Sequence, residues 1–274
     1  MEEQLKISIV TVSYNAAKTI EQTIKSVINQ TYSNIEYIVI DGGSTDGTVD
    51  IIKKYEDRIA YWVSEPDDGI FDAMNKGIKI ATGEVVGIIN SDDWYENNAV
   101  EIVAREFCCD KNMDILVGNV YYRDYHGNIL DVRRNGSLDK YVKKVMPINH
   151  PGMFVRREVY RAYGGYDVEF PLASDYEFIC RMYKLGCIVN YNKYILSNFR
   201  ENGATSTFDS WKGLKNCFRL AKEEYRIQEK HFQHKNVFRT IMRCVFSIIK
   251  FILAKCKLLH KVTQIKRKYI GRWI

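Results

Sequence analysis

"EVVGIINSDDW", residues 84–94, is an apolar, partly β-branched run that stops at Asn90-Ser91 and delivers two adjacent carboxylates, Asp92 and Asp93. A short continuous apolar run bounded by turn residues is the pattern of a strand buried on both faces. Neighbouring carboxylates repel each other unless water, a cation or hydrogen-bond donors stabilise them. The strand end therefore reads either as a solvated turn that caps the next helix or as half of a divalent-metal site.

Three similar runs precede it: "ISIVTVS" at 7–13, "IEYIVIDGG" at 35–43 and "IAYWVSE" at 59–65. Between them lie helical periodicities at 17–30 and 48–56, and at 71–81 with apolar Phe71, Met74, Ile78 and Ala81 on one face. Strands alternating with helices of this length predict βαβ units, an α/β fold with a mostly parallel sheet and helices on both faces. After residue 97 the alternation loosens. A helix is expected at 99–107, then two antiparallel strands around the turn His126-Gly127-Asn128. Helices follow near 157–163 and 175–185, a strand at 187–199, a helix at 211–230 and one or two basic helices over 236–270.

With 46% hydrophobic and 27% charged residues in 274, an ordinary globular core is expected rather than disorder. The seven cysteines form no CxxC pair and no metal-finger spacing, and read as reduced core thiols of a cytosolic protein. The acidic start "MEEQLKISIV" runs straight into a strand, so no signal peptide is expected. No window approaches the roughly 18 uncharged apolar residues of a spanning helix.

In an open α/β sheet, ligands bind outside the carboxyl ends of the strands. Here those ends are Ser13-Tyr14-Asn15, Asp41-Gly42-Gly43-Ser44, Glu65-Pro66-Asp67-Asp68 and Asn90-Ser91-Asp92-Asp93. A crevice with this many carboxylates would repel an anion unless a cation were present, and Mg²⁺ or Mn²⁺ beside a diphosphate uses few protein carboxylates. "DGGSTDGT" (41–48) lacks the GK[ST] ending of a phosphate loop. Taken singly it is also a good loop and helix cap, through Asp46 or Thr48.

The ordered set "SIVTVSYN…IEYIVIDGGSTDGT…GIINSDDW" resembles the family 2 glycosyltransferases, inverting enzymes of the GT-A fold. "SEPDDGIFDAMNKGI" (64–78) resembles the subgroup that builds bacterial capsule, O-antigen and exopolysaccharide units. The resemblance covers roughly residues 5–200. It implies that Thr11, Ser13 and Asn15 hold the nucleotide, that Asp41 hydrogen-bonds the base, usually uracil, and that Asp72 and Asn75 lie in a segment closing over the donor. Asp92 is then expected near the ribose and Asp93 as ligand of Mn²⁺ or Mg²⁺. Asn90 departs from the aspartate common at that position. His150, in "INHPGMFVRR", matches a segment that often has His near the donor phosphates, and Gly164-Gly165 a turn near the acceptor.

Inverting transfer needs a base to take the proton of the attacking hydroxyl. Asp175, opening an amphipathic helix in "PLASDYEFICRMYKLG", matches the family's base, although the Glu usual before it is Ser174; Glu177 is the alternative. An acid in the first helical turn is equally favoured by the dipole alone.

Residues 230–274 contain 12 Lys or Arg and no acid, which leaves 28 basic against 34 acidic residues in 1–229, a net of −6 beneath an overall +6. The expected division is therefore a GT-A catalytic domain at 1–229 and a basic helical tail at 230–274. Within the domain, 1–95 is the nucleotide half, 96–205 the acceptor half and 209–229 a helix. At about 100° per residue, Arg239, Arg243, Lys250, Lys257, Lys261, Lys268 and Arg272 share one face of a helix, opposite Ile241, Val245, Ile249, Ile252 and Leu259. Such a helix lies in an anionic membrane interface, or else packs on the domain by its apolar face. Nothing resembles a nucleic-acid-binding motif. The expected function is transfer of a sugar, hexosyl or N-acetylhexosaminyl, from a UDP-linked nucleotide-sugar donor to a lipid-linked (polyprenyl) or oligosaccharide acceptor. It would occur at the cytoplasmic face of the cell membrane, with the protein held peripherally. The alternative is a catalytically degenerate subunit of the same fold at the membrane.

Overall fold

The computed structural model describes residues 4–201, 210–233 and 237–256. The chain begins with β1 (Ile7–Ser13), α1 (Ile20–Ile28), β2 (Ile35–Asp41), α2 (Thr48–Lys53), β3 (Tyr61–Ser64), α3 (Ile70–Ile80) and β4 (Val85–Asn90). Then come β5 (Trp94–Tyr95), α4 (Ala99–Cys109), β6 (Ile115–Arg123), β7 (Ile129–Arg133), α5 (Leu138–Tyr141), β8 (Met153–Arg156), α6 (Arg157–Tyr163), α7 (Ser174–Lys184) and β9 (Val189–Arg200). Helices α8 (Trp211–Phe232) and α9 (Val237–Lys255) close the described chain.

The strands form one mixed sheet of order β3-β2-β1-β4-β8-β6-β9-β5, with β7 on β6. The first four are parallel, and all seven residues of β1 are buried, as a strand covered on both faces requires. Their register sets Ser13 beside Asp41, Asp41 beside Ser64 and Val12 beside Asn90, so the polar strand ends share one rim. Beyond β4 the sheet turns antiparallel at β8, which pairs with β4 and β6. The two-residue β5, too short to have a sequence signal, pairs with β9.

One core fills the face under α1 and α4, with Ile20, Ile24, Val100 and Phe107; the other fills the face under α3 and α7, with Val10, Met74, Phe178 and Met182. Helix α3 lies so close to β1 that a Cβ on Gly77 would come within 2.2 Å of Val10. Of the cysteines only Cys180 and Cys217 are buried, while Cys108, Cys109 and Cys256 are exposed. The expectation of core thiols is corrected for those three, which occupy outward positions at helix ends.

The basic helix also departs from expectation. Arg243 forms an ion pair with Glu224 of α8, and Arg239 stands near the same carboxylate. Ser247 and Phe251 are buried, with Phe251 against the Trp211 ring at 4.8 Å. The cationic side thus begins against an acid that the sequence count could not place. The apolar side instead faces outward: Phe238 is 74% exposed, Ile241 55% and Ile252 53%. Lys257, Lys261, Lys268, Arg272 and Leu259 lie outside the described residues.

Candidate active site

A cavity of about 880 Å³ opens at the carboxyl ends of β1–β4. Ser13, Tyr14 and Asn15 form its floor, Gly42, Gly43, Pro66 and Asp67 one end, and Asn90, Ser91 and Asp92 the other, beneath Gly69, Ile70 and Ala73 at the start of α3.

The floor is held by side chains of the next loop. Asn15 adopts φ +49°; its N–H donates to Ser44 Oγ (2.7 Å), and its Oδ1 accepts from Thr45 N–H (3.0 Å). Ala16 N–H donates to Thr48 Oγ1 (2.8 Å) and Ala17 N–H to Asp46 Oδ2 (3.1 Å). Much of "DGGSTDGT" therefore secures the first loop rather than facing a ligand.

Asp41 is buried beneath this loop and accepts four hydrogen bonds: from Ser13 Oγ (2.8 Å), Ser44 N–H (2.8 Å), Ser44 Oγ (2.6 Å) and Ser64 Oγ (2.7 Å). Burial pushes its carboxyl up, but the Ser44, Ser64 and Ser13 bonds outweigh that and hold it below the usual range. A carboxylate offers about four lone-pair sites, so Asp41 is satisfied within the protein. Thr11 is buried too, its hydroxyl 3.1 Å from Tyr37 OH.

The acidic pair splits. Asp92 lines the cavity, and burial raises its carboxyl above the ordinary value. Asp93 is 1% exposed; Oδ1 accepts from Arg200 N–H at 3.0 Å and Oδ2 has no partner. Burial, then the charge of Asp92, drives Asp93 well above a normal carboxyl. The expected order is thus corrected: Asp92, rather than Asp93, is the member presented to the cavity. Asn90, also lining the cavity, has a buried Oδ1 without a partner. Among the described residues no group of three or more His, Cys, Asp or Glu could close around a metal. Asp92 and the Asn90 oxygen nevertheless fit a hard cation that takes its remaining oxygens from phosphate and water.

Arg200 gives the motif a support that no sequence signal announced. Its Nε donates to Asp92 O (3.2 Å), one terminal nitrogen donates to Gln22 Oε1 (2.5 Å), and its guanidinium lies 4.9 Å from the Trp94 ring centre.

The loop at Gly164–Tyr166 meets α3 at Tyr166. Asn75 exchanges two 2.8 Å hydrogen bonds with the Tyr166 backbone, and the Phe71 and Tyr166 rings lie 5.4 Å apart. Asn75 therefore faces the Gly164–Tyr166 loop and not the donor cavity, a correction to its expected contact. Asp72 accepts from Asp68 N–H (3.2 Å) and sits 3.6 Å from Lys76, also off the cavity wall. His150 Nε2 is 2.9 Å from Tyr166 OH, and burial pushes the imidazole down to about 4, so it is neutral at neutral pH.

Asp175 occupies the first turn of α7, its Oδ1 accepting from Tyr176 N–H at 2.8 Å. Burial raises its pKa to about 6; that bond opposes the shift, and the Glu224 and Glu223 charges add to it. Glu177, two residues on, is the opposite case. Burial opposes its ionisation, but bonds from His231 (2.9 Å) and Arg181 (3.1 Å) and the charges of Arg181 and Lys230 hold it at about 2. So weak a base, engaged on every side, is unsuited to proton abstraction, and Glu177 is set aside in favour of a structural role. Arg181 in turn donates to Gly165 O at 2.5 Å, anchoring the same loop that Asn75 grips.

Residues 8–164 match the model of Glycosyl transferase family 2, and the chain belongs to that family. It is 36% identical over 188 residues to an uncharacterized glycosyltransferase of Mycobacterium tuberculosis (strain ATCC 25618 / H37Rv), covering 64% of this chain and 68% of that one. It is 28% identical over 207 residues to a PGL/p-HBAD biosynthesis glycosyltransferase of Mycobacterium bovis (strain BCG / Pasteur 1173P2), covering 73% and 78%. Among solved structures it resembles S. aureus TarS in complex with UDP-GlcNAc, with TM-score 0.63, 17% identity and coverage of 91% and 81%. It also resembles the mannosyltransferase PcManGT from Pyrobaculum calidifontis in complex with GDP-Man and Mn2+, with TM-score 0.63, 16% identity and coverage of 100% and 77%. The fold is that of the GT-A glycosyltransferases.

Proposed function

We propose that this glycosyltransferase moves a hexosyl or N-acetylhexosaminyl group, with inversion, from a UDP-linked donor to a glycan or polyprenyl-linked acceptor in bacterial surface polysaccharide synthesis. The observation that carries the reading is the cavity running across four parallel strand ends, from Gly42, Gly43 and Pro66 at one end to the acidic Asp92 at the other. Ser13, Tyr14 and Asn15 support the nucleotide. Asp92, helped by the Asn90 oxygen, faces the diphosphate. Asp92 and the Asn90 oxygen would hold Mn²⁺ or Mg²⁺ there, and the ion would supply positive charge to the departing diphosphate. Asp175 takes the acceptor proton, since a carboxyl near pKa 6 is a better base than an ordinary one and is still ionised at neutral pH. His150 and Tyr166 shape the acceptor side. The nucleotide-sugar complexes of the structural neighbours support the donor class, and the PGL/p-HBAD biosynthesis named for the mycobacterial relative supports a role in biosynthesis of a glycosylated product.

Residues 1–229 form the catalytic part and 230–274 an attachment segment at the inner membrane face. No described helix is long and apolar enough to cross a membrane. The outward apolar side of α9 suits shallow insertion, and the cations of the segment suit anionic lipid. Calorimetric titration with UDP, with and without Mn²⁺ and with GDP as control, tests the donor. Manganese-dependent, UDP-selective binding is expected. Folded protein that binds no nucleotide would overturn the reading.

A further inference from the structure

We propose that Asp67, and not Asp41, reads the nucleobase, and that it selects uracil by accepting a single imino proton; this rests on the donor site just proposed. The cavity crosses the ends of β3, β2, β1 and β4 in that order, about 14 Å at a strand spacing of about 4.8 Å. Phosphates belong at the Asn90–Asp92 end, where a cation can join them. The base then falls at the other end, against Gly42, Gly43 and Pro66, with the 66%-exposed Tyr14 available to stack.

At that end Asp41 has no lone pair left to offer, its four sites being taken by Ser13, Ser44 and Ser64. Asp67 has one. Its Oδ1 accepts from Gly69 N–H at 2.9 Å, which fixes the carboxylate plane. Its Oδ2 lies in the space that a side chain on residue 42 would fill: a Cβ on Gly42 would come within 2.3 Å of it. Glycine at 42 thus makes room for a carboxylate oxygen reaching across from the β3–α3 loop into the cavity wall. That oxygen can accept a proton and cannot donate one. Uracil presents N3–H, a donor, whereas cytosine presents N3 as an acceptor.

The same geometry predicts an inversion. In Asp67→Asn the Gly69 N–H holds the amide oxygen at the Oδ1 position, which places the NH₂ group where Oδ2 was. That donor opposes uracil N3–H and suits cytosine N3. Titrate the full chain in Mn²⁺ with UDP, CDP and GDP. Wild type should prefer UDP to CDP by roughly 10-fold or more, the worth of one hydrogen bond to a charged group. Asp67→Asn should lose roughly 10-fold in UDP affinity and bring CDP level or ahead, with an unchanged melting temperature. Gly42→Ala, which displaces Asp67 without removing its charge, should erode the same preference and keeps the test decisive if Asp67→Asn folds poorly. Unchanged UDP affinity and UDP/CDP ratio in both variants would overturn the assignment while leaving the transferase reading intact. So would a wild-type preference for GDP, or loss of selectivity in Asp41→Asn alone. Wild type that binds none of the three nucleotides would overturn both.

Discussion

The side-chain amide of Asn75 donates to the Tyr166 carbonyl and accepts from the Tyr166 N–H, both at 2.8 Å, which joins α3, the helix over the cavity, to the Gly164–Tyr166 loop. Two complementary bonds specify position as a single bond cannot, and Arg181 holds the other side of that loop through Gly165. Asn75→Ala should cost about 2 kcal/mol of stability, for two net hydrogen bonds. It should lower transfer several-fold while leaving UDP affinity within about twofold, because Asn75 does not line the donor cavity. Calorimetry beside steady-state rates separates the two effects.

Asp175 couples activity to a stability cost. Transfer should rise with pH to a plateau above about 6, where its carboxyl ionises. Between the ordinary carboxyl range and pH 6 the folded chain keeps a proton that the unfolded chain has released, so this residue's contribution to stability falls as pH rises through that window. Asp175→Asn should therefore lose transfer by about 100-fold or more yet be more stable than wild type at pH 7.5 by about 1–3 kcal/mol. Thermal melts at pH 5 and pH 7.5 check the sign. Full activity in a folded variant would remove Asp175 as the base.

Glu177 should behave oppositely. Its depressed carboxyl stabilises the fold above the ordinary range, and that contribution is lost as pH falls from 4.5 toward about 2. Glu177→Gln leaves Arg181, Lys230 and His231 short of their shared anion and should cost about 3 kcal/mol. The shape of the pH–rate profile should not change. Acid denaturation curves of the two proteins provide the comparison.

The acidic pair should separate by role. Asp92→Asn should abolish the manganese enhancement of UDP binding, whereas Asp93→Asn, nearly isosteric at a buried site that disfavours the charge, should retain it within about threefold. Calorimetric titration of both variants with UDP, with and without Mn²⁺, makes the comparison.

Helix α9 tests the attachment. Replacing Ile241, Ile248 and Ile252 with Ser removes exposed apolar area and leaves Arg243 on Glu224 and Phe251 on Trp211 in place. Sedimentation with vesicles containing anionic lipid should weaken by roughly 10-fold or more, while transfer to a soluble acceptor should be unchanged. Vesicle binding equal to wild type would exclude this face as the docking surface.

The alternating apolar runs at 7–13, 35–41, 61–64 and 85–90 were legible in the sequence because strands covered on both faces are continuously hydrophobic. The polar strand ends announced the rim of the site for the same reason. Less was legible past residue 97, where β5 and β8 are short and pair with strands distant in the chain. Residue type also told little about direction. Ser13, Asn15 and Asp92 reach the cavity, but Thr11, Asp41 and Asp93 are turned into the protein by partners as far as 107 positions away. Arg200, Tyr166 and Asp67 gained their places only when separate loops met. The outward apolar side of α9 depended on an acid, Glu224, that a helical wheel does not contain. Local periodicity is a property of the chain itself, and determined the elements and their order. The orientation and ionisation of each carboxylate depend on which donors surround it, and only the tertiary structure decided those.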